Sequence, residues 1–361
     1  MSSSTQSICE TFATMRREGK TRHRDIAAHL NISEGALIAA HIGAAAQPTN
    51  AFLHATRLRP MWHELIESLA SLGEVMALTR NESCVHEKTG VYRKASHQND
   101  VGLVLGGSID LRIFYQQWMY GFAVVEKTDQ TMQRSFQFFD AAGIAIHKAF
   151  LRPHSDVAAY ETLVVDFAAS EQVVGIATQD IAKKSPELAD AEVDLAGFRQ
   201  AWDSLRDTHE FFGLLKKYAV SRTQALRLAD TKYVQRVEAD DCQSLLLAAA
   251  AEGVSVMVFV GNHGMIQIHT GPITRVAAMG PWVNVLDPGF NLHLREDHIA
   301  SAWVVKKPTA DGLVTSLELF DAQGETIAMF FGERKPGKRE SCEWRALIDN
   351  LLKHEVQPCV V

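Results

Sequence analysis

The chain has 361 residues, a length that suggests about two domains at roughly 150 residues each. Hydrophobic residues make up 47% and charged residues 22%, near the soluble globular average, which excludes a disordered or fibrous chain. Lys and Arg total 36 against 43 Asp and Glu, a net charge of -7; this excludes a chain wholly devoted to nucleic acid but leaves room for a local basic patch.

The opening MSSSTQSICETFATMRREGKTR has no apolar core of signal-peptide length, so the expectation is a soluble cytoplasmic protein. Residues 24–43 follow a helix-turn-helix pattern. Asn31 would end the first helix and Ser33 would cap the second. The first 60 residues carry more Lys and Arg than Asp and Glu, so DNA binding is one competing reading. Glu34, Ala36, Leu37, Ala39 and Ala40 offer almost nothing that reads bases, and a packing helix pair is the alternative. Leu65, Ile66, Leu69 and Leu72 predict a further helix.

Short runs rich in β-branched and aromatic residues follow, around 102–105, 111–115, 121–125 and 135–139, and read as strands. The second half repeats them around 256–260, 265–269, 282–285 and 313–320. Shifting the sequence by 181 residues superposes Ser135, Phe139, Asp140, Ala141, Gly143, Ile146 and Phe150 on Ser316, Phe320, Asp321, Ala322, Gly324, Ile327 and Phe331. Val75, Met76, Asn81, Thr89 and Gly90 fall on Val256, Met257, Asn262, Thr270 and Gly271 with the same shift. Over 110–150 the shift gives 10 identities in 41 positions, against roughly 2–3 expected from average composition. The chain therefore reads as two copies of one domain: residues 1–165, a linker at 166–195, and residues 196–361. Strands in series without intervening helices indicate antiparallel sheets, and helices gathered before them indicate an α+β fold. There is no Gly-x-Gly-x-x-Gly, P-loop or Gly-x-Ser-x-Gly. The most apolar stretch, 245–260, is interrupted by Glu252 and Gly253 and is too short to span a bilayer.

In FRQAWDSLRDTHEFFGLLKK (198–217), a spacing of three to four places Phe198, Trp202, Leu205, His209 and Phe212 on one helix face. An imidazole so placed suits a metal in an apolar pocket, haem iron included, or a core histidine bonded to a backbone carbonyl. Phe259, Lys306, Lys307, Phe331 and Arg334 suit a flat apolar ligand with carboxylates at its rim, or solvated charge above core aromatics. His293 and His298 in NLHLREDH lack metal-pair spacing. His86 reads as a possible ligand or as a turn or surface residue. The five cysteines, 9, 84, 242, 342 and 359, form no C-x-x-C, zinc or C-x-x-C-H pattern and read as reduced structural thiols.

Taken together, ALTRNESCVHEKTG, IDLRIF, SFQFFDAAGIAIHK, DTHEFFGLLKK, MVFVGNHGMIQIHTG, WVVKKPTADGLVTSLELFDAQGETIAMFFGERKPG and WRALI resemble the cytoplasmic haemin-utilisation proteins of Gram-negative bacteria, the HemS/ChuS/HmuS family, also called haemin-degrading factors. The resemblance runs over nearly the whole chain. It implies two similar halves, each with a large antiparallel sheet and packed helices, and one non-covalent haem b in a cleft formed mainly by the C-terminal half. It places the axial ligand at His209 and a distal arginine at Arg112. Pocket phenylalanines fall at Phe114 and Phe259, and basic residues near the propionates at Arg222, Lys307 and Arg334. Phe331 stands where some members carry tyrosine, which removes a hydroxyl. The implied function is haem trafficking for iron acquisition, from an inner-membrane haem importer to a haem oxygenase. Oxidative cleavage of haem by the protein itself is the alternative, with Arg112 in a catalytic role.

Overall fold

The protein is described here by a computed structural model covering residues 5–19, 22–43, 53–127, 132–181, 186–334 and 337–354. Cys359 lies outside these residues. The first half contains helices α1 (Thr5–Arg17), α2 (His23–His29) and α3 (Glu34–Ala39), strand β1 (Leu53–Arg57) and helix α4 (Trp62–Ser68). Eight strands follow: β2 (Val75–Arg80), β3 (Cys84–Gly90), β4 (Ala95–Gln98), β5 (Val101–Val104), β6 (Asp110–Phe114), β7 (Tyr120–Lys127), β8 (Met132–Phe139) and β9 (Ala145–Leu151). Helix α5 (Val157–Phe167) ends this half.

The second half opens with α6 (Leu195–Asp203), α7 (Glu210–Tyr218) and α8 (Arg222–Leu228), then β10 (Val234–Val237) and α9 (Asp241–Glu252). Its remaining strands are β11 (Val256–Asn262), β12 (Met265–Gly271), β13 (Val276–Met279), β14 (Trp282–Asp287), β15 (Phe290–Arg295), β16 (Ser301–Thr309), β17 (Gly312–Phe320) and β18 (Thr326–Gly332), closed by α10 (Cys342–His354). The expected strands are present. The bounds of β3 and β12, β4 and β13, and β9 and β18 differ by 181 at both ends.

The strands form two nine-stranded sheets, ordered β1-β7-β8-β9-β2-β3-β15-β14-β13 and β10-β16-β17-β18-β11-β12-β6-β5-β4. Two compact units emerge, and their boundaries depart from the simple halves expected. Unit 1 is residues 1–80, 87–182 and 262–267; unit 2 is 81–86, 183–261 and 268–361. The division between units thus falls inside the expected 166–195 linker. The first part of that linker is anchored on unit 1, where Gly175 N–H donates to Ala39 O at 2.9 Å and Gln179 N–H to Ala141 O at 2.9 Å.

In unit 1, α1–α3 pack on one sheet face through Ile8, Phe12, Leu37 and Ile38 against Phe122, Val124 and Phe139. Helices α4 and α5 supply Trp62, Leu65, Tyr160 and Phe167 to a second cluster with Phe136 and Phe138. In unit 2, α9 and α10 bury Leu245, Leu246 and Trp344 against Leu317, Leu319 and Phe330. Helices α6–α8 bury Phe198, Trp202, Phe211 and Leu214 against Val305 and Phe320. Cys84 and Cys242 are buried in the first of these unit 2 clusters, and burial raises both thiols above their usual range.

The helix-turn-helix pattern forms locally. Asn31 adopts φ 54°, and the Ser33 hydroxyl accepts Ala36 N–H at 3.2 Å. The DNA-binding reading is nevertheless corrected, because α3 is a core helix. Leu37, Ile38 and Ala39 are buried, and Glu34 is paired with Arg80 at 2.6 Å and with Lys148, so α3 has no free face to lay in a groove.

Two asparagines one repeat apart make the same contacts. In unit 2, Asn81 Nδ2 donates to Gly261 O at 3.1 Å and Ile327 O at 2.8 Å. In unit 1, Asn262 Nδ2 donates to Arg80 O at 2.9 Å and Ile146 O at 2.9 Å. Each carboxamide oxygen accepts turn N–H groups, Ser83 and Cys84 in one case and Gly264 in the other. An alanine leaves two carbonyls and a turn N–H without partners. Asn262→Ala is therefore expected to cost about 2 kcal/mol, read as a lower urea midpoint; a change under about 0.5 kcal/mol would show that the hairpin tip is held by other contacts.

Candidate functional site

The run 198–217 is not the single helix its periodicity suggests. Helix α6 stops at Asp203 and α7 starts at Glu210. Side-chain acceptors take the backbone donors of the intervening turn: Glu210 Oε2 accepts Arg206 N–H at 2.8 Å, and Asp207 Oδ1 accepts His209 N–H at 2.8 Å. Such local acceptors interrupt helices and start new ones. Phe198, Trp202, Leu205, Phe211 and Leu214 are buried. The break turns His209 and Phe212 out of that face: the His209 side chain is 93% exposed and Phe212 is 76% exposed.

The placement of His209 on the buried aromatic face and the core-histidine alternative are thus corrected. His209 neither shares the buried aromatic face nor bonds a backbone carbonyl. Its Nδ1 lies 2.6 Å from Asp207 Oδ1, so Nδ1–H donates to the carboxylate and Nε2 lies on the other edge of the exposed ring. The bonds from His209, backbone N–H first, hold the Asp207 carboxyl below its usual range, and Arg334 adds to this.

The sheet of unit 2 supplies an apolar surface on the side where α6–α8 pack. Phe259 on β11 pairs in register with Met329 on β18, and Met257 with Phe331. All four are partly exposed, although their strand neighbours Val258 and Phe330 are buried on the opposite face. The Phe259 and Phe331 rings meet edge to face at 5.0 Å.

The three expected cations of unit 2 occupy different environments. Lys307 is buried, not at a rim, and its ammonium bonds Glu318 Oε1 at 2.6 Å. Arg222 bonds Glu318 Oε2 through Nε at 2.8 Å and reaches Met329 Sδ through Nη2 at 3.2 Å. Its guanidinium lies over Phe211 at 5.1 Å, and Lys307 Nζ lies 4.6 Å from the same ring. Burial opposes the Glu318 charge, but Arg222 and Lys307 outweigh it and hold the carboxyl well below the usual range. Burial brings Lys307 down to about 8 against the pull of Glu318. Arg334 is partly buried, and its Nε has no hydrogen-bond partner among the described residues.

Arg112 and Phe114 belong to unit 1, on β6. Arg112 is paired with Asp110 and its side chain is 33% exposed; Phe114 is partly exposed. His86 is corrected from a turn or surface residue to a buried strand residue, 5.0 Å from the Phe290 ring. His293 Nδ1 pairs with Asn284 Oδ1 at 2.7 Å and His298 Nδ1 with Ser83 Oγ at 3.0 Å. Among the described residues no three His, Cys, Asp or Glu side chains gather to hold a metal ion, although an iron porphyrin requires only one axial side chain. An exposed imidazole and a partly exposed Phe/Met surface fit such a ligand.

Sequence reasoning missed Asp207, Met257, Met329 and Glu318. The Asp-x-x-Glu spacing of 207–210 signals a helix start, and the alternation of β11 and β18 places both methionines with the phenylalanines. Nothing local pairs Glu318 with Arg222. Glu318→Gln leaves two cations without a counter-charge and should cost about 3 kcal/mol in urea unfolding at pH 7. A depressed carboxyl contributes stability above its ordinary value of 4.5 and loses it as pH falls through and below that value. The parent and variant curves should therefore converge in acid; parallel curves would mean that Glu318 carries no such charge.

The sequence model described as the haemin-degrading HemS.ChuX domain matches residues 31–167 and again 219–351. The hemin transport protein HmuS of Yersinia pestis is 36% identical over 92% of this chain and 93% of its own. HemS of Yersinia enterocolitica, also a hemin transport protein, is 34% identical over 97% and 99%. The crystal structure of holo-PhuS, a heme-binding protein from Pseudomonas aeruginosa, is 45% identical with a TM-score of 0.91, covering 96% of this chain and 98% of that one. ChuS, a heme degrading enzyme from Escherichia coli O157:H7, is 33% identical with a TM-score of 0.86, covering 96% and 99%. Two matches to one domain model, and relatives that align over nearly their whole length, make this chain a member of the haemin-degrading HemS/ChuX family.

Proposed function

We propose that this protein binds iron protoporphyrin IX, haem b, non-covalently as cargo, and carries it within the cytoplasm from an inner-membrane importer to a haem oxygenase for iron release. The observation that carries this reading is the exposed His209, with Nδ1 engaged by Asp207 and Nε2 left to a ligand. The Nε2 lone pair is the donor for the iron. Phe212 and the Phe259, Phe331, Met257 and Met329 surface receive the apolar macrocycle, and Arg334 and Arg222 face its propionates. Lys307 supports that surface from beneath, through Glu318 and Arg222, without contacting the cargo. Arg112 takes the distal role that the family resemblance assigns to it. The absence of a C-x-x-C-H sequence is consistent with non-covalent attachment. A single solvent-facing protein ligand suits hand-over, because a receiving ligand can displace it without unfolding a pocket. No helix among the described residues is long and apolar enough to cross a membrane.

The second reading, oxidative opening of the macrocycle, is favoured by the structural relative described as a heme oxygenase, ChuS from E. coli, which is 36% identical over 91% of this chain.

A haemin titration followed at the Soret band should saturate at one equivalent. His209→Ala should weaken binding at least about tenfold, or about 1.4 kcal/mol, and change the visible spectrum. An unchanged affinity and spectrum would overturn the ligand assignment. A single turnover with reductant, air and catalase separates the two readings: an intact Soret band supports the carrier, and its loss supports the enzyme. Arg112→Ala should change that turnover, or the spectrum of the distal side, more than the affinity. Equal loss of affinity in the Arg112 and His209 variants would remove the division of labour between them.

A further inference from the structure

We infer that Asp207 is the positioning residue for His209 and that its carboxylate makes the site hold ferric haem more tightly than ferrous haem. The inference rests on His209 being the iron ligand. The His209 ring is 93% exposed, so packing does not fix its rotamer. What restrains it is one oxygen: Asp207 Oδ1 receives both the backbone N–H of His209 at 2.8 Å and its Nδ1–H at 2.6 Å. The turn that carries Asp207 is itself held, because Glu210 Oε2 accepts Arg206 N–H at 2.8 Å and Asp207 N–H at 3.3 Å. The clamp sets the tautomer and aims Nε2.

The clamp also has an electronic consequence. A carboxylate accepting Nδ1–H draws that proton toward itself and enriches the lone pair on Nε2. The added negative character favours the iron with the higher positive charge. The free-energy difference between the two oxidation states then appears as a difference in affinity. Ferric haem would then be the tighter-held form, a bias set by a residue that does not touch the cargo.

Asp207→Asn separates this role from simple helix capping. The Asn side-chain oxygen still accepts the His209 backbone N–H, since Asn and Asp cap helices about equally well, but it carries no charge. Circular dichroism and urea unfolding should be unchanged, as expected for an exposed turn. The ratio of ferric to ferrous haem affinity should fall about tenfold, equivalent to a reduction potential higher by about 59 mV for one electron. The iron–imidazole stretch of the ferrous form should drop in frequency in the resonance Raman spectrum. A potential and a stretch equal to the parent's would reduce Asp207 to a cap and overturn the inference. The His209→Ala spectrum keeps the two failures apart. If that variant retains the parent spectrum, the ligand assignment fails. If it loses the spectrum while Asp207→Asn matches the parent in potential and stretch, only the role of Asp207 fails.

Discussion

Glu318 is the constraint around which the functional face of unit 2 is organised. Its carboxylate is fully buried, and an isolated charge in such a place costs several kcal/mol. Arg222 and Lys307 remove that cost by taking one oxygen each, and Ser316 adds a hydroxyl donor at 2.9 Å. Satisfying the carboxylate fixes much else. Arg222 stands at the first turn of α8, whose cap is Ser221, so the bond to Glu318 seats that helix on the sheet. The same guanidinium and the Lys307 ammonium lie against Phe211, which anchors α7 in the core. His209 immediately precedes α7. The exposed imidazole therefore rests on a buried ionic triad through two helices, and the Met329 contact of Arg222 ties the apolar surface to the same triad.

Unit 1 uses the equivalent strand positions for different chemistry. Shifted by 181, Lys307 falls on Glu126, Glu318 on Gln137 and Met329 on Lys148. Glu126 pairs there with Arg16 and His23, and Lys148 pairs with Glu34. A buried ionic group thus occupies the position where unit 2 presents a methionine to its exposed apolar surface. His209 itself falls on Ala28. Positions 181 residues apart thus carry unlike polar groups.

Much of the fold was legible because its signals are local and periodic. Alternating β-branched and aromatic residues mark many strands, and a repeat offset shows in a self-comparison, so the α+β class and eight of the strands followed from the residues. Asn31 and Ser33 marked a real helix boundary for the same reason. What that boundary served was not legible, because α3 has the same residue pattern whether it is laid in a groove or packed on Phe122 and Phe139. His209 shows the limit most clearly. Periodicity assumes an unbroken helix, and the acceptors Asp207 and Glu210 break it, turning the imidazole from the aromatic face into solvent.

The sequence by itself determined the α+β class, several of the strands and, through its long motifs, the family. Neighbouring residues and fixed spacings are enough for these. The tertiary structure decided which charges are free and which are spent. Lys307 and Arg334 are both cations near strand ends in the sequence. Folding buries the ammonium of Lys307 against Glu318 and leaves the Nε of Arg334 without a partner among the described residues. The physical reason is that desolvation and pairing depend on residues far apart in the chain, such as Arg222 and Glu318, which only the packing of a helix on a sheet brings within hydrogen-bond distance.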